Sequence, residues 1–145
     1  LSSLRRDLQV LVDRDSEAYD EVSKALKLPK GTPEEKATRQ QALGRASQFA
    51  PEIPVKTAET CLAVLEQVRR VAETGNSNAA SDAGVAAHLA HTGVAGAVLN
   101  VRTNLAGIPN QDFAERMETR VARIEKEADR LLAEAQSVVS ARLKG

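Results

Sequence analysis

Apolar residues recur at helical spacing along almost the whole chain, and strand-like alternation appears nowhere. Residues 1–27 place Leu1, Leu4, Leu8, Leu11, Ala18, Val22 and Ala25 on one face. Asp15 stands where the series between Leu11 and Ala18 should be completed, whereas Asp13 and Asp20 fall on the opposite, solvated face. A carboxylate on an apolar face is costly unless paired or hydrogen-bonded, so Asp15 is either satisfied by an arginine or set in a cleft. Pro29 and Gly31 end this helix. Thr32-Pro33-Glu34-Glu35 starts the next, with Thr32 as cap, Pro33 at the first helical position and Glu35 completing a capping box. Its inward series is Ala42, Leu43, Ala46, Phe49 and Ala50. Arg39 continues that series and is a candidate partner for Asp15 or for an anionic ligand.

Pro51 and Pro54 bracket a short break. A third helix over 55–73 turns Ala58, Leu62, Leu65, Val68 and Ala72 inward, borders them with Cys61, and closes at Gly75. The following stretch, 75–104, is the centre of the pattern. It opens with Gly75-Asn76-Ser77-Asn78, passes Ser81-Asp82, and carries no charge from 83 to 101. Its expected inner stripe is Ala86, Leu89 or Ala90, Gly93, Ala97, Asn100 and Asn104. Gly84, Gly93 and Gly96 each cost roughly 1 kcal/mol relative to Ala inside a helix, so close packing or a ligand must offset them. Gly107, Ile108 and Pro109 stop this helix. A cap at Asp112 then opens a last helix with Met117, Val121, Ile124, Ala128, Leu131, Ala135 and Val138 at heptad spacing. The expectation is one all-α domain over 1–145, a bundle of about five long helices.

Composition narrows the picture. Tyr19, Phe49 and Phe113 are the only aromatic residues, so the core must be aliphatic. Twenty basic residues balance twenty acidic ones, which argues against a nucleic-acid surface. The single Cys61 excludes a disulfide framework. The N-terminal residues are charged and amphipathic, unlike a secretory signal, and the uncharged run lacks the bulky apolar belt of a membrane span. A cytoplasmic protein is expected.

His88 and His91 lie one turn apart, yet no carboxylate or cysteine cluster stands in register to complete a metal shell. Neither a nucleophile elbow nor a phosphate-binding glycine loop is present. What remains is a polar set at helix ends and on apolar faces: Asp15, Lys30, Arg39, Asn76, Asn78, Asp82, Asn100 and Asn104. Asn100 and Asn104 fall on the expected inner stripe, where carboxamides need partners and can read a flat heterocycle by donor and acceptor edges. Asp82 also suits the first turn of its helix on macrodipole grounds alone.

These residues carry a family resemblance. The run Val12-Asp13-Arg14-Asp15-Ser16-Glu17-Ala18-Tyr19 comes first, followed by Leu28-Pro29-Lys30 with Thr32, Glu34-Glu35-Lys36 and Arg39. Gly75-Asn76-Ser77-Asn78, Ser81-Asp82-Ala83-Gly84-Val85-Ala86, Leu99-Asn100-Val101 and Asn104 follow in order. Together they resemble the cyclodeaminase/cyclohydrolase family, which includes methenyltetrahydrofolate cyclohydrolases and the cyclodeaminase half of formimidoyltransferase-cyclodeaminase. The family pattern begins with a further helical region bearing a Pro-Gly-Gly-Gly-Ser loop, which has no counterpart in this sequence.

The resemblance implies an all-helical homodimer that acts on reduced folates without a metal or other cofactor. The expected reaction is hydrolysis of 5,10-methenyltetrahydrofolate to 10-formyltetrahydrofolate. The alternatives are loss of ammonia from formimidoyltetrahydrofolate on the same site, or a catalytically silent helical dimerisation module. The implied roles are Asp15 or Asp82 as the carboxylate beside the cationic amidine, and Asn76, Asn78, Asn100 and Asn104 around the pterin. Lys30 and Arg39 would meet the carboxylates of the folate tail.

Overall fold

The computed structural model describes residues 1–106, 108 and 110–144, apart from the side chain of Ser77. The stops expected at Gly107 and Pro109 lie outside the described residues. Five α-helices and one short 3-10 turn make up the architecture among the described residues, and the fold is all-α. The helices are α1 (Ser2–Leu26), α2 (Pro33–Phe49), α3 (Glu52–Thr74), α4 (Ala80–Leu105) and α5 (Gln111–Lys144), with the 3-10 turn at Ser77–Ala79. Only Ala50 and Pro51, both in right-handed helical conformation, separate α2 from α3, so the two read almost as one bent rod.

Short connections force α3, α4 and α5 into an up-down-up bundle, and polar pairs along its outside fix the register. Arg102 reaches Glu118, and His91 reaches Asp129, so α4 and α5 run antiparallel. Arg120 reaches Glu59 near the start of α3, while Arg142 donates to the Glu73 and Gly75 carbonyls at its end, so α3 and α5 run parallel. The Arg142 bonds also satisfy carbonyls that a helix C-terminus leaves without partners. Inside sit Val55, Leu65, Val94, Val98, Val101 and Val121, all fully buried, an aliphatic core as the scarcity of aromatics requires.

Two glycines set close approaches. A Cβ on Gly93 would stand 2.8 Å from the Cys61 Sγ, so α3 and α4 touch there at a distance alanine would prevent. At Gly75 a Cβ would meet the Val71 carbonyl oxygen at 2.5 Å, which explains glycine at the end of α3. Gly75 is nevertheless extended (φ −75°, ψ 178°) rather than left-handed.

Several expectations need correction. The buried face of α4 is Ala83, Ala87, Ala90, Val94, Ala97, Val98 and Val101; Leu89 and Asn100 are exposed and Asn104 is half-buried. With Ala, Gly and Val all round the helix, hydrophobic contrast is too small to fix which face turns in. Helix α2 buries none of its side chains, and Phe49 is 69% exposed, because α2 packs chiefly on α1 with no second layer outside it. Cys61 rather than Leu62, and Val139 rather than Val138, are the buried members of their series. Helix α3 also begins three residues earlier than expected, with Pro54 inside its first turn, where a missing N–H costs nothing. By length and apolarity α4 could cross a membrane; here one face of it is packed against α3 and α5, while Val85, Leu89 and Leu99 on the other are exposed.

Candidate active site

A cleft of about 400 Å³ opens where α1 crosses the bundle, a volume suited to a small organic ligand. Its walls come from three helices: Leu8, Leu11 and Val12 of α1, Pro54 of α3, and Gly96 and Ala97 of α4 supply apolar surface. Asp15 and Asn100 bring carboxylate and carboxamide to the same cleft. Ser16 and Thr57 also line it, but each hydroxyl donates to a carbonyl of its own helix, Val12 at 3.2 Å and Ile53 at 3.1 Å. Asp15 and Asn100 therefore stand out: neither has a hydrogen-bond partner among the described residues. Both are exposed, so water fills those bonds until a ligand replaces it; beside apolar walls a carboxylate and an amide can hold a flat, cationic heterocycle, the carboxylate facing the positive charge.

The Asp15 position follows from α1 itself. Leu8 packs against the core and Leu11 is buried where α1 lies on α3, and Asp15 extends the same row by one turn, past the edge of the core and into the opening. Gly96 serves the opening differently from Gly93: a Cβ there would meet nothing within 4 Å. The absent side chain leaves the floor of the cleft clear.

The other candidate residues lie elsewhere. Arg39 does not pair with Asp15. Its Nε and Nη2 donate to the Leu26 carbonyl at 3.3 and 3.2 Å, tying α2 to the C-terminus of α1. Lys30 is exposed in the connection between those helices. Asn104 donates to the Ala50 carbonyl at 3.3 Å, bracing the bend between α2 and α3. The Asn76 Oδ1 accepts from the Asn78 N–H at 3.0 Å and shapes the 3-10 turn that leads into α4. Asp82 is exposed in the first turn of α4. Eighteen residues separate it from Asn100, about 27 Å along the helix axis. Within one chain, Asp15 and Asn100 come together, while Asp82, Asn76 and Asn78 occupy the far end of α4.

The histidines face α5: the His91 Nε2 lies 2.7 Å from Asp129, and the His88 Nε2 lies 3.1 Å from Gln136. No group of three or more metal-ligating side chains exists among the described residues. A larger groove, about 510 Å³, runs between α1 and α2 past Ala25, Ala42, Ala46 and Phe49, but it contains neither Asp15 nor a carboxamide. Thr57, Ser16 and Gly96 were not singled out as site residues from sequence. Only Gly96 carried a signal, as a glycine with no reason to sit inside a helix.

Known proteins resemble the chain over this whole framework. A family model described as formiminotransferase-cyclodeaminase matches residues 1–123. A methenyltetrahydrofolate cyclohydrolase of Methylorubrum extorquens is 42% identical over 132 residues, covering 91% of this chain and 60% of that protein. The formimidoyltransferase-cyclodeaminase of Mus musculus is 38% identical over 121 residues, 83% of this chain and 22% of that protein. The crystal structure of formiminotetrahydrofolate cyclodeaminase from Thermotoga maritima matches with a TM-score of 0.84 at 25% identity, covering 98% of this chain and 67% of that one. This chain thus spans about three fifths of the cyclohydrolase it matches. With residues 1–123 inside the family model, and with its fold shared by a solved cyclodeaminase, the chain belongs to the formiminotransferase-cyclodeaminase family.

Proposed function

We propose that the cleft binds a reduced folate and hydrolyses 5,10-methenyltetrahydrofolate to 10-formyltetrahydrofolate. The observation that carries this reading is the pair Asp15 and Asn100, free of protein partners among the described residues, in an opening whose other polar side chains, Ser16 and Thr57, bond within their own helices. The relative named as a cyclohydrolase supports it. The methenyl carbon lies between two nitrogens that share a positive charge, so it is already electrophilic and the reaction calls for no cofactor. Asp15 faces that charge and takes a proton from the attacking water. Water oxygen bonds to the methenyl carbon, giving a tetrahedral carbinolamine. As the hydroxyl of that intermediate loses its proton and its oxygen becomes a carbonyl, the bond between the carbon and N5 breaks and Asp15 returns its proton to N5, leaving the formyl group on N10. Asn100 holds the pterin edge or the oxygen of the intermediate. Lys30, beyond the end of α1 and exposed, meets the tail carboxylates, with Arg39 behind it anchoring the helix end.

A second reading has an observation of its own. The solved structure that superposes on this chain is described as a cyclodeaminase, so release of ammonia from the formimidoyl folate on the same cleft is the rival reaction. We read the protein as a cytoplasmic homodimer, a reading supported by the folate-enzyme names of its relatives and by the uncharged outer face of α4. Side-by-side assays separate the reactions. Loss of methenyltetrahydrofolate absorbance without ammonia release from the formimidoyl substrate supports the cyclohydrolase, and the reverse supports the deaminase. Absence of both, with no saturable folate binding, points to a silent helical module.

A further inference from the structure

Gly96 is the cleft residue that the fold itself does not explain. It sits inside α4, where glycine weakens a helix relative to alanine. Packing does not require it: a Cβ there would meet no atom within 4 Å among the described residues, whereas at Gly93 it would stand 2.8 Å from the Cys61 sulfur. Gly96 is also exposed and lines the opening. A bare stretch of helix backbone that no protein atom approaches is suited to a ligand that does.

The register of α3 against α4 shows what surrounds it. Ala50 stands opposite Asn104 and Cys61 opposite Gly93, so the helices run antiparallel, and the same register sets Pro54 opposite Asn100 and Thr57 opposite Ala97. Gly96 and Thr57 therefore lie together at the seam between the two helices, with Asn100 and Pro54 one turn further along. The Thr57 hydroxyl is bound to the Ile53 carbonyl, Pro54 has no N–H, and Ala97 is buried. The seam is thus smooth, and Asn100 is the polar side chain on it that its own helix does not engage. Leu8 and Val12 form the wall on the α1 side, Val12 being 67% exposed.

We infer that Gly96 is the platform for the ligand's flat ring: the ring lies face-on against the α4 backbone at Gly96, between the seam and the α1 wall, with an edge toward Asn100. One helical turn, roughly 6 Å, separates the two residues, so a ring seated over Gly96 brings its edge to the Asn100 carboxamide. The backbone supplies contact area and Asn100 supplies direction. The inference deepens the folate reading and rests on it, since that reading makes the ring a pterin. What it adds is that position 96 sets how closely the pterin seats. A methyl group there lifts the ring off the backbone, which forfeits the dispersion contacts of a close approach and draws the edge away from Asn100. The helix itself gains from the same change.

These two effects have opposite signs, which separates a binding role from a structural one. Gly96→Ala should raise the urea midpoint, as replacement of an unobstructed helical glycine does. It should also raise KM by about tenfold or more, read with 5,10-methenyltetrahydrofolate, or with formimidoyltetrahydrofolate if that is the folate consumed. Gly44→Ala is the control. That glycine of α2 likewise meets nothing within 4 Å among the described residues, but it lies outside the cleft, so its midpoint should rise with KM unchanged. An unaltered KM in Gly96→Ala, or an equal rise in Gly44→Ala, overturns the inference and leaves the folate reading in place. A lowered urea midpoint for Gly96→Ala also overturns it, because protein rather than ligand then packs on that backbone. A natural chain that turns over neither folate removes the folate reading and the platform with it.

Discussion

At the level of single residues, the closest contact in the core is the most exacting. An alanine at 93 must push against the Cys61 sulfur at 2.8 Å, and overpacking of this kind costs about 1–3 kcal/mol. Replacing a mid-helix glycine returns roughly 1 kcal/mol of helix propensity. Gly93→Ala is therefore expected to lower stability in urea denaturation, and adding Cys61→Ala, which removes the sulfur, should recover most of the loss. Cys61 has its own signature. Burial pushes its thiol above the ordinary range, so the folded chain keeps it protonated and slow to react. A thiol reagent at pH 8 should label it slowly in the native protein and rapidly in urea. Because an unfolded chain ionises the thiol first, this residue's contribution to stability is complete below the ordinary thiol range and fades as pH rises through and above it. What the sequence disclosed at this scale depended on the kind of partner. Asp15 was legible as a break in an apolar series. The fate of Arg39 and Asn104 was not, because their partners are backbone carbonyls of Leu26 and Ala50, and a sequence does not show which carbonyls a fold leaves free.

At the level of helices, local chemistry was read more securely than orientation. The start of α2 is a complete capping box: the Thr32 hydroxyl accepts from the Glu35 N–H at 3.2 Å, and the Glu35 carboxylate accepts from the Thr32 and Gly31 N–H groups at 3.0 and 2.7 Å. Thr32→Ala should cost about 1 kcal/mol, seen as a lower urea midpoint with an unchanged slope. Every part of that motif lies within five residues, so its spacing alone identifies it. Helix α5, with charged residues between its apolar rows, likewise disclosed its buried face, apart from the exchange of Val138 for Val139. Helix α4 did not. Its inner face is Ala and Val and its outer face keeps Val85, Leu89 and Leu99, so both are apolar, periodicity carried little contrast, and the asparagines drew the expected stripe toward the cleft side. The polar pair that misled the packing argument was nonetheless a guide to the opening.

At the level of the whole molecule, a helical bundle with its candidate cleft at the α1 crossing places the chemistry on helices rather than loops. Each cleft residue sits on a helix that packs into the bundle.

The central claim is that Asp15 performs chemistry on a cationic folate in this cleft. The most direct test follows the absorbance of 5,10-methenyltetrahydrofolate with the natural chain and with Asp15→Asn, under conditions where spontaneous hydrolysis is slow. The account predicts saturable loss of absorbance with the natural chain and a fall of about 10²-fold or more in turnover for Asp15→Asn, with the helical fold intact. Equal rates for the two chains would contradict it.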